Sequence, residues 1–276
     1  MFANPRLAAA AIASAVLLAA CAATSSRQTT AEALTGILAA GYRAEESRAR
    51  DRYRHPKETL LFFGIRPEMS VLEVWPEPGW YTEVIAPLVR DKGKYYAAVI
   101  AADPESQYIT ERLEKYRHKL AERPDLYDHV AVVSFPADGG DAVPPASVDM
   151  VVTFRNIHNW MSRGATAQAF ATMYRALRPG GVLGVVEHRG NPAVAQDPQA
   201  KSGYVNEEYA IKLIEAQGFR LVGKSQVNAN PRDSKDYEQG VWTLPPTYRL
   251  GDKDHDKYAA IGESDRFTLR FVKPRK

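Results

Sequence analysis

Phe154 to Trp160 (FRNIHNW) brings a guanidinium, two amides and an imidazole together directly behind an apolar run. Such a group sits badly in a core and well in a pocket. An imidazole titrates at about pH 6.5, so His158 is mostly neutral near pH 7 and is the candidate general base. The planar fork of Arg155 can grip an anion by two bonds. Asn156 or Asn159 can orient the group that gives up its proton. Glu187 and His188 follow the next apolar run and offer a second acid–base pair. The same residues allow a hydrolysis carried by His158 and Glu187, or a hydrogen-bonding corner that caps a strand. A Gly-x-Ser-x-Gly elbow is absent, which weakens an esterase reading. So is a phosphate loop of the Gly-Lys-Ser/Thr kind. No ligand spacing points to a metal, and none is expected.

These residues need elements to hold them. Val71 to Val74 fits a buried strand, and Thr82 to Arg90 a helix. Tyr95 to Ile100 is strand-like. From Glu105 to Ala121 apolar residues fall at helical spacing. His129 to Phe135 and Val148 to Phe154 are two further strands. Phe170, Met173, Tyr174 and Leu177 mark a helix face that Pro179-Gly180-Gly181 ends, before a strand over Val182 to Glu187. Asn206 opens a helix that Gly218 ends. Phe219 to Val227 and Phe267 to Val272 close the series. Strand–helix alternation implies a doubly wound, Rossmann-like α/β sheet, seven-stranded and mostly parallel, with one antiparallel strand at its end. Ahead of it, residues 31–65 form an N-terminal helical extension whose Arg and Glu content reads as a solvated face. In such sheets ligands bind beyond the carboxyl ends of the strands, at the topological switch point. Function belongs just after the first, second, fourth and fifth strands. The stretch from Asn228 to Glu263 shows no helix pattern. Its aromatic, apolar piece Gly240 to Pro246 is expected to fold over the pocket mouth with Trp242 inward.

Four stretches occupy those places: Glu73 to Thr82 (EVWPEPGWYT), Ala101 to Glu105 (AADPE), Phe154 to Trp160, and Glu187 to Gly190 (EHRG). With their order, and with Ser147 to Val152 and Leu177 to Leu183 (LRPGGVL), they resemble class I S-adenosylmethionine-dependent methyltransferases. Trp75-Pro76, Gly79 to Thr82, Phe154 to Trp160, Gly240 to Pro246 and Ser264-Asp265-Arg266 further resemble a branch of exported predicted methyltransferases. The likeness covers residues 45–276 and implies a class I domain over 66–276. It implies S-adenosyl-L-methionine as cofactor and methyl transfer to a small or envelope-associated acceptor. Glu73 would meet the cofactor's ammonium group, Trp75, Gly79 and Thr82 would line its turn, and Asp103 would accept from the ribose. Asp138 or Asp141 would face the adenine amine. The family pattern has glycines where Trp75 and Glu77 stand, and Pro76 and Pro78 remove two backbone donors. A ligand-binding or scaffold lipoprotein that kept the fold is the alternative.

The 276 residues are 45% hydrophobic and 25% charged, ordinary for a globular chain. A net charge of +3 gives no nucleic-acid footprint. Met1 to Ala20 reads as a signal peptide, with Arg6 ahead of an apolar run. It ends Leu18-Ala19-Ala20-Cys21, which resembles the lipoprotein box. That resemblance implies lipidation of Cys21, the chain's single cysteine, and an outer-membrane protein facing the periplasm. Residues 21–30 read as a polar tether reaching about 35 Å when stretched.

Overall fold

The computed structural model describes residues 29–101, 105–136 and 138–275. The signal peptide, Cys21 and most of the tether, and Asp103, lie outside the described residues. Elements are labelled in chain order. A first helix covers residues 29–39 (α1). Then come α2 (Glu45–Ala49), α3 (Asp51–Arg54), α4 (Pro56–Phe63), β1 (Ser70–Val74), α5 (Thr82–Val89), β2 (Lys94–Ile100), α6 (Gln107–Glu122), α7 (Pro124–Tyr127) and β3 (Val130–Phe135). The chain continues with β4 (Val148–Phe154), α8 (Ile157–Ser162), α9 (Thr166–Ala176), β5 (Leu177–His188), α10 (Glu207–Glu215), β6 (Arg220–Ser225), a 3₁₀ turn (Gly240–Thr243), α11 (His255–Ile261) and β7 (Arg266–Val272).

The strand order is β3-β2-β1-β4-β5-β7-β6. β1 to β5 pair in parallel, and β7 runs antiparallel to both neighbours. The expected seven-stranded sheet with one antiparallel strand is therefore present. Chain order reverses between β1 and β4, which puts the switch point at their carboxyl ends. The central strands are apolar runs such as VDMVVTF because helices cover both faces. One core gathers Leu72, Val151, Trp160, Phe170, Leu183 and Phe271. The other gathers Leu60, Phe63, Val71, Val84, Tyr116 and Met150. Gly184 is needed where α4 crosses β5, since a Cβ there would lie 2.5 Å from the Phe63 ring. Among the described residues no helix is long and apolar enough to cross a membrane.

Three expectations change. The N-terminal helical extension is broken into short helices, with α2 and α3 ahead of His55, which takes φ 38° before α4. β5 begins at Leu177 rather than Val182. Leu177 pairs Val148, Val182 pairs Met150, and Arg178 to Gly181 bulges between them. The stretch after β6 holds the 3₁₀ turn and α11.

The N-terminal face is also less solvated than its composition implies. Arg43 and Arg54 are buried. Arg43 grips both oxygens of Asp51, at 2.6 and 2.8 Å. The two arginines lie over the Trp80 ring, 5.5 and 4.6 Å from its centroid, and its indole N–H donates to Ser47 O at 3.0 Å. These contacts fasten the extension to the turn after β1.

Candidate active site

Two neighbouring strands end at the switch point, each on a residue other than glycine in the left-handed region. Trp75 follows β1 at φ 52° and Arg155 follows β4 at φ 62°. Such a conformation costs an L residue about 1–2 kcal/mol, and it clusters at functional sites. Each is pinned by its backbone N–H: Trp75 to Ala98 O at 2.8 Å, Arg155 to Val186 O at 2.7 Å. Both line one cavity of about 260 Å³, together with Glu73, Glu77, Arg54, His158, His188, Trp242 and Glu263.

At the β4–β5 end the imidazole is oriented. His158 Nδ1 donates to Glu187 Oε1 at 3.1 Å, since a carboxylate can only accept. Glu187 is fully buried. Its oxygens also accept from the backbone N–H groups of His188 at 2.8 Å, Ile157 at 2.6 Å and His158 at 3.3 Å. With Nδ1 carrying the proton, His158 presents a bare Nε2. His188 shares Nδ1 with Ser264 Oγ at 2.5 Å. Burial, and then the positive charge of its neighbours, pushes His188 well below the ordinary imidazole value. His158, Glu187 and His188 could in principle ligate a cation. Yet four N–H donors already occupy Glu187, and Arg155, Arg266 and Arg54 act on His188, so the group suits proton chemistry better than a metal. Trp242 stands 5.9 Å from the His158 ring, edge to face, and lines the cavity, half-buried.

At the β1 end the turn differs from a glycine cradle. Gly79 donates its N–H to Pro76 O at 2.7 Å, and Pro76 and Pro78 have no N–H to offer. Polar side chains stand there instead. Glu73 Oε2 accepts from Tyr95 OH at 2.6 Å, and burial pushes its carboxyl up to about 8. Glu77 Oε1 accepts from Ile100 N at 2.9 Å. Among the described residues, its Oε2 and the Trp75 indole N–H are buried without a partner. On the other side of Trp75 lies an apolar cavity of about 370 Å³, walled by Ile100, Ile109, Phe135 and Trp160. Trp75 meets Trp160 edge to face at 5.6 Å.

Other expected residues are placed elsewhere. Thr82 Oγ1 bonds Tyr95 OH at 2.9 Å and Tyr116 OH at 3.0 Å, behind Glu73 and not in the cavity lining. Gly79, at φ 92°, supplies the turn geometry only. Asp138 folds onto Gly140 N at 2.9 Å and Asp141 pairs with Arg175 at 2.6 Å. Neither lines the apolar cavity. Asn156 donates to Val74 O at 2.9 Å and Thr153 Oγ1 at 3.1 Å, tying β1 to β4. It holds the corner, and half-buried Asn159 is the amide left to face an acceptor. The sequence reading missed Arg54, and it gave Glu263 and Arg266 no role. The Ser264-Asp265-Arg266 phrase was the one signal nearby.

Residues 78–185 match the model of a family described as methyltransferase domain. The matched span begins after Glu73 to Glu77, so the altered opening of the turn lies outside it. No curated protein matches the sequence. Solved structures do match. An S-adenosylmethionine-dependent methyltransferase from Aquifex aeolicus is similar at 16% identity over 82% of this chain and 93% of its own, with a TM-score of 0.55. Phosphoethanolamine N-methyltransferase 2 from Haemonchus contortus, in complex with S-adenosyl-L-methionine, matches at 16% identity over 81% of this chain and 53% of its own, TM-score 0.54. The [4+2]-cyclase SpnF matches at 18% identity over 81% of each chain, TM-score 0.55. The chain has the Rossmann-like fold of these proteins, and a methyltransferase domain is matched within it.

Proposed function

We propose that this chain is an S-adenosylmethionine-dependent methyltransferase acting on a small acceptor, with His158 as its base. The observation that carries the reading is the Glu187-oriented His158 at the switch point of a sheet that holds a matched methyltransferase domain. The residues present fit the cofactor in a variant way. Glu73 and Glu77 Oε2 would face its ammonium group, and the apolar cavity of Ile100, Phe135 and Trp160 suits an adenine. When bound, S-adenosylmethionine supplies an electrophilic methyl group on a sulfonium. Glu187 keeps the His158 tautomer fixed. His158 would take the acceptor's proton at Nε2 as the acceptor's O or N receives the methyl group. Trp242 excludes water from that step. Alignment of nucleophile, carbon and sulfur supplies most of the acceleration.

The Leu18-Ala19-Ala20-Cys21 box supports a lipid-anchored protein of the cell envelope, acting on a small or envelope-associated acceptor. Metabolic lipid labelling that disappears in Cys21→Ser is the expected result; no label contradicts the anchor. For the activity, S-adenosylmethionine and S-adenosylhomocysteine are titrated calorimetrically into the full-length chain. Both are expected to bind. Absence of binding at millimolar ligand contradicts the reading.

A further inference from the structure

Arg155 combines two unfavourable features. It is held in the left-handed region. Among the described residues its side chain also makes no hydrogen bond or ion pair; only its backbone is engaged. The side chain is half-buried and lines the cavity beside His158, and a cation partly withdrawn from water gains from an anionic partner. Its neighbours leave none over. Glu263 alone accepts from Arg50 Nε at 2.6 Å, Arg54 Nε at 3.1 Å and Arg266 Nη1 at 3.1 Å. That wall carries surplus positive charge before Arg155 is counted. The carboxylates across the cavity do not cancel it. Glu73 is held largely protonated near pH 7, and the charge that faces Glu77 is Arg112, outside this wall. Burial brings the Arg155 guanidinium down to about 10, so it remains charged at neutral pH.

The cavity is thus short of negative charge, beside the proposed base. We propose that the acceptor is a small organic anion, a carboxylate or a phosphate monoester, held by the Arg155 fork with its O–H or N–H turned to His158 Nε2. Planar bidentate pairing is what a guanidinium offers such groups and an ammonium does not. The word acceptor rests on the methyl-transfer reading; the anion site does not.

The test is calorimetric titration of the full-length chain with inorganic phosphate and with acetate, with and without saturating S-adenosylhomocysteine. Wild type is expected to bind at least one of them under both conditions. Arg155→Met should weaken that binding at least tenfold, and Arg155→Lys, which keeps charge and fold but loses the fork, should fall between. All three should bind S-adenosylmethionine within a factor of about two. No anion binding by wild type, or equal binding by all three, overturns the site. Anion binding abolished by S-adenosylhomocysteine, with a tenfold loss of cofactor affinity in Arg155→Met, would instead assign Arg155 to the cofactor's own carboxylate and overturn the proposal. Anion binding that depends on Arg155 in a chain that binds no S-adenosylmethionine keeps the site and removes the methyltransferase reading.

Discussion

Trp75 and Arg155 end adjacent parallel strands in the same unusual backbone conformation, and they use it in opposite ways. The turn after β1 closes. Two of its positions have no donor, its carboxylate caps β2, and Trp75 stands between two cavities. The corner after β4 opens. Arg155 enters the cavity unpaired, and His158 follows on a short helix whose first N–H groups are held by Glu187. Left-handed strain therefore serves enclosure on one strand and exposure of chemistry on the next. A turn that has lost its glycines can still bound a pocket, provided side chains supply the polar contacts that backbone N–H groups would have made.

The largest effect should come from the open side. His158→Ala is expected to lower kcat by about 10²–10⁴-fold, the usual contribution of a general base. Its cofactor affinity should be unchanged, because no cofactor contact is assigned to it. Equal turnover in the variant would make the imidazole structural.

Next comes the arginine wall. Glu263→Gln leaves three guanidiniums without their shared carboxylate and should cost about 3–5 kcal/mol, read from denaturant unfolding. The arginines hold Glu263 well below the ordinary carboxylate value. Its contribution is therefore full above about pH 4.5 and lost as pH falls through the lowered value. A variant as stable as wild type at pH 7 would remove the wall from the account.

Glycine at the two left-handed positions should give opposite signs. Trp75→Gly relieves strain but loses the packing against Trp160, a net loss of about 2 kcal/mol. Arg155→Gly relieves strain and removes an unpaired cation, a gain of about 1 kcal/mol. Thermal melts read both. Changes of the same sign would end the contrast between the two corners.

The effect that depends on pH belongs to Glu73→Gln. Burial raises Glu73 to about 8. Its stabilising share is full below about pH 4.5 and is lost as pH rises through about 8. Variant and wild type should melt together at pH 5 and separate towards pH 8, with the variant the more stable. A constant gap across that range would contradict a protonated Glu73.

The sheet was legible because buried parallel strands are continuous apolar runs. Val148 to Phe154 agrees to the residue. Arg155, Asn156, His158 and Glu187 were legible as a cluster because polar residues behind an apolar run have no place in a core. The arginine wall was not legible. Arg54 and Glu263 lie 209 positions apart, and charged residues on a short helix read as solvated until their partner is known. Asp138 and Asp141 misled for the opposite reason: acidic residues after a strand also make turns and surface pairs. The position of Trp75 between two cavities depends on its φ, and no periodicity reports that.

The most direct test is a crystal structure of the chain with S-adenosylhomocysteine. The account predicts adenine among Ile100, Phe135 and Trp160, and the amino group between Glu73 and Glu77, with the ligand passing the Trp75 ring. A ligand found elsewhere on the sheet, or Trp75 still dividing two empty cavities at saturating ligand, would contradict it.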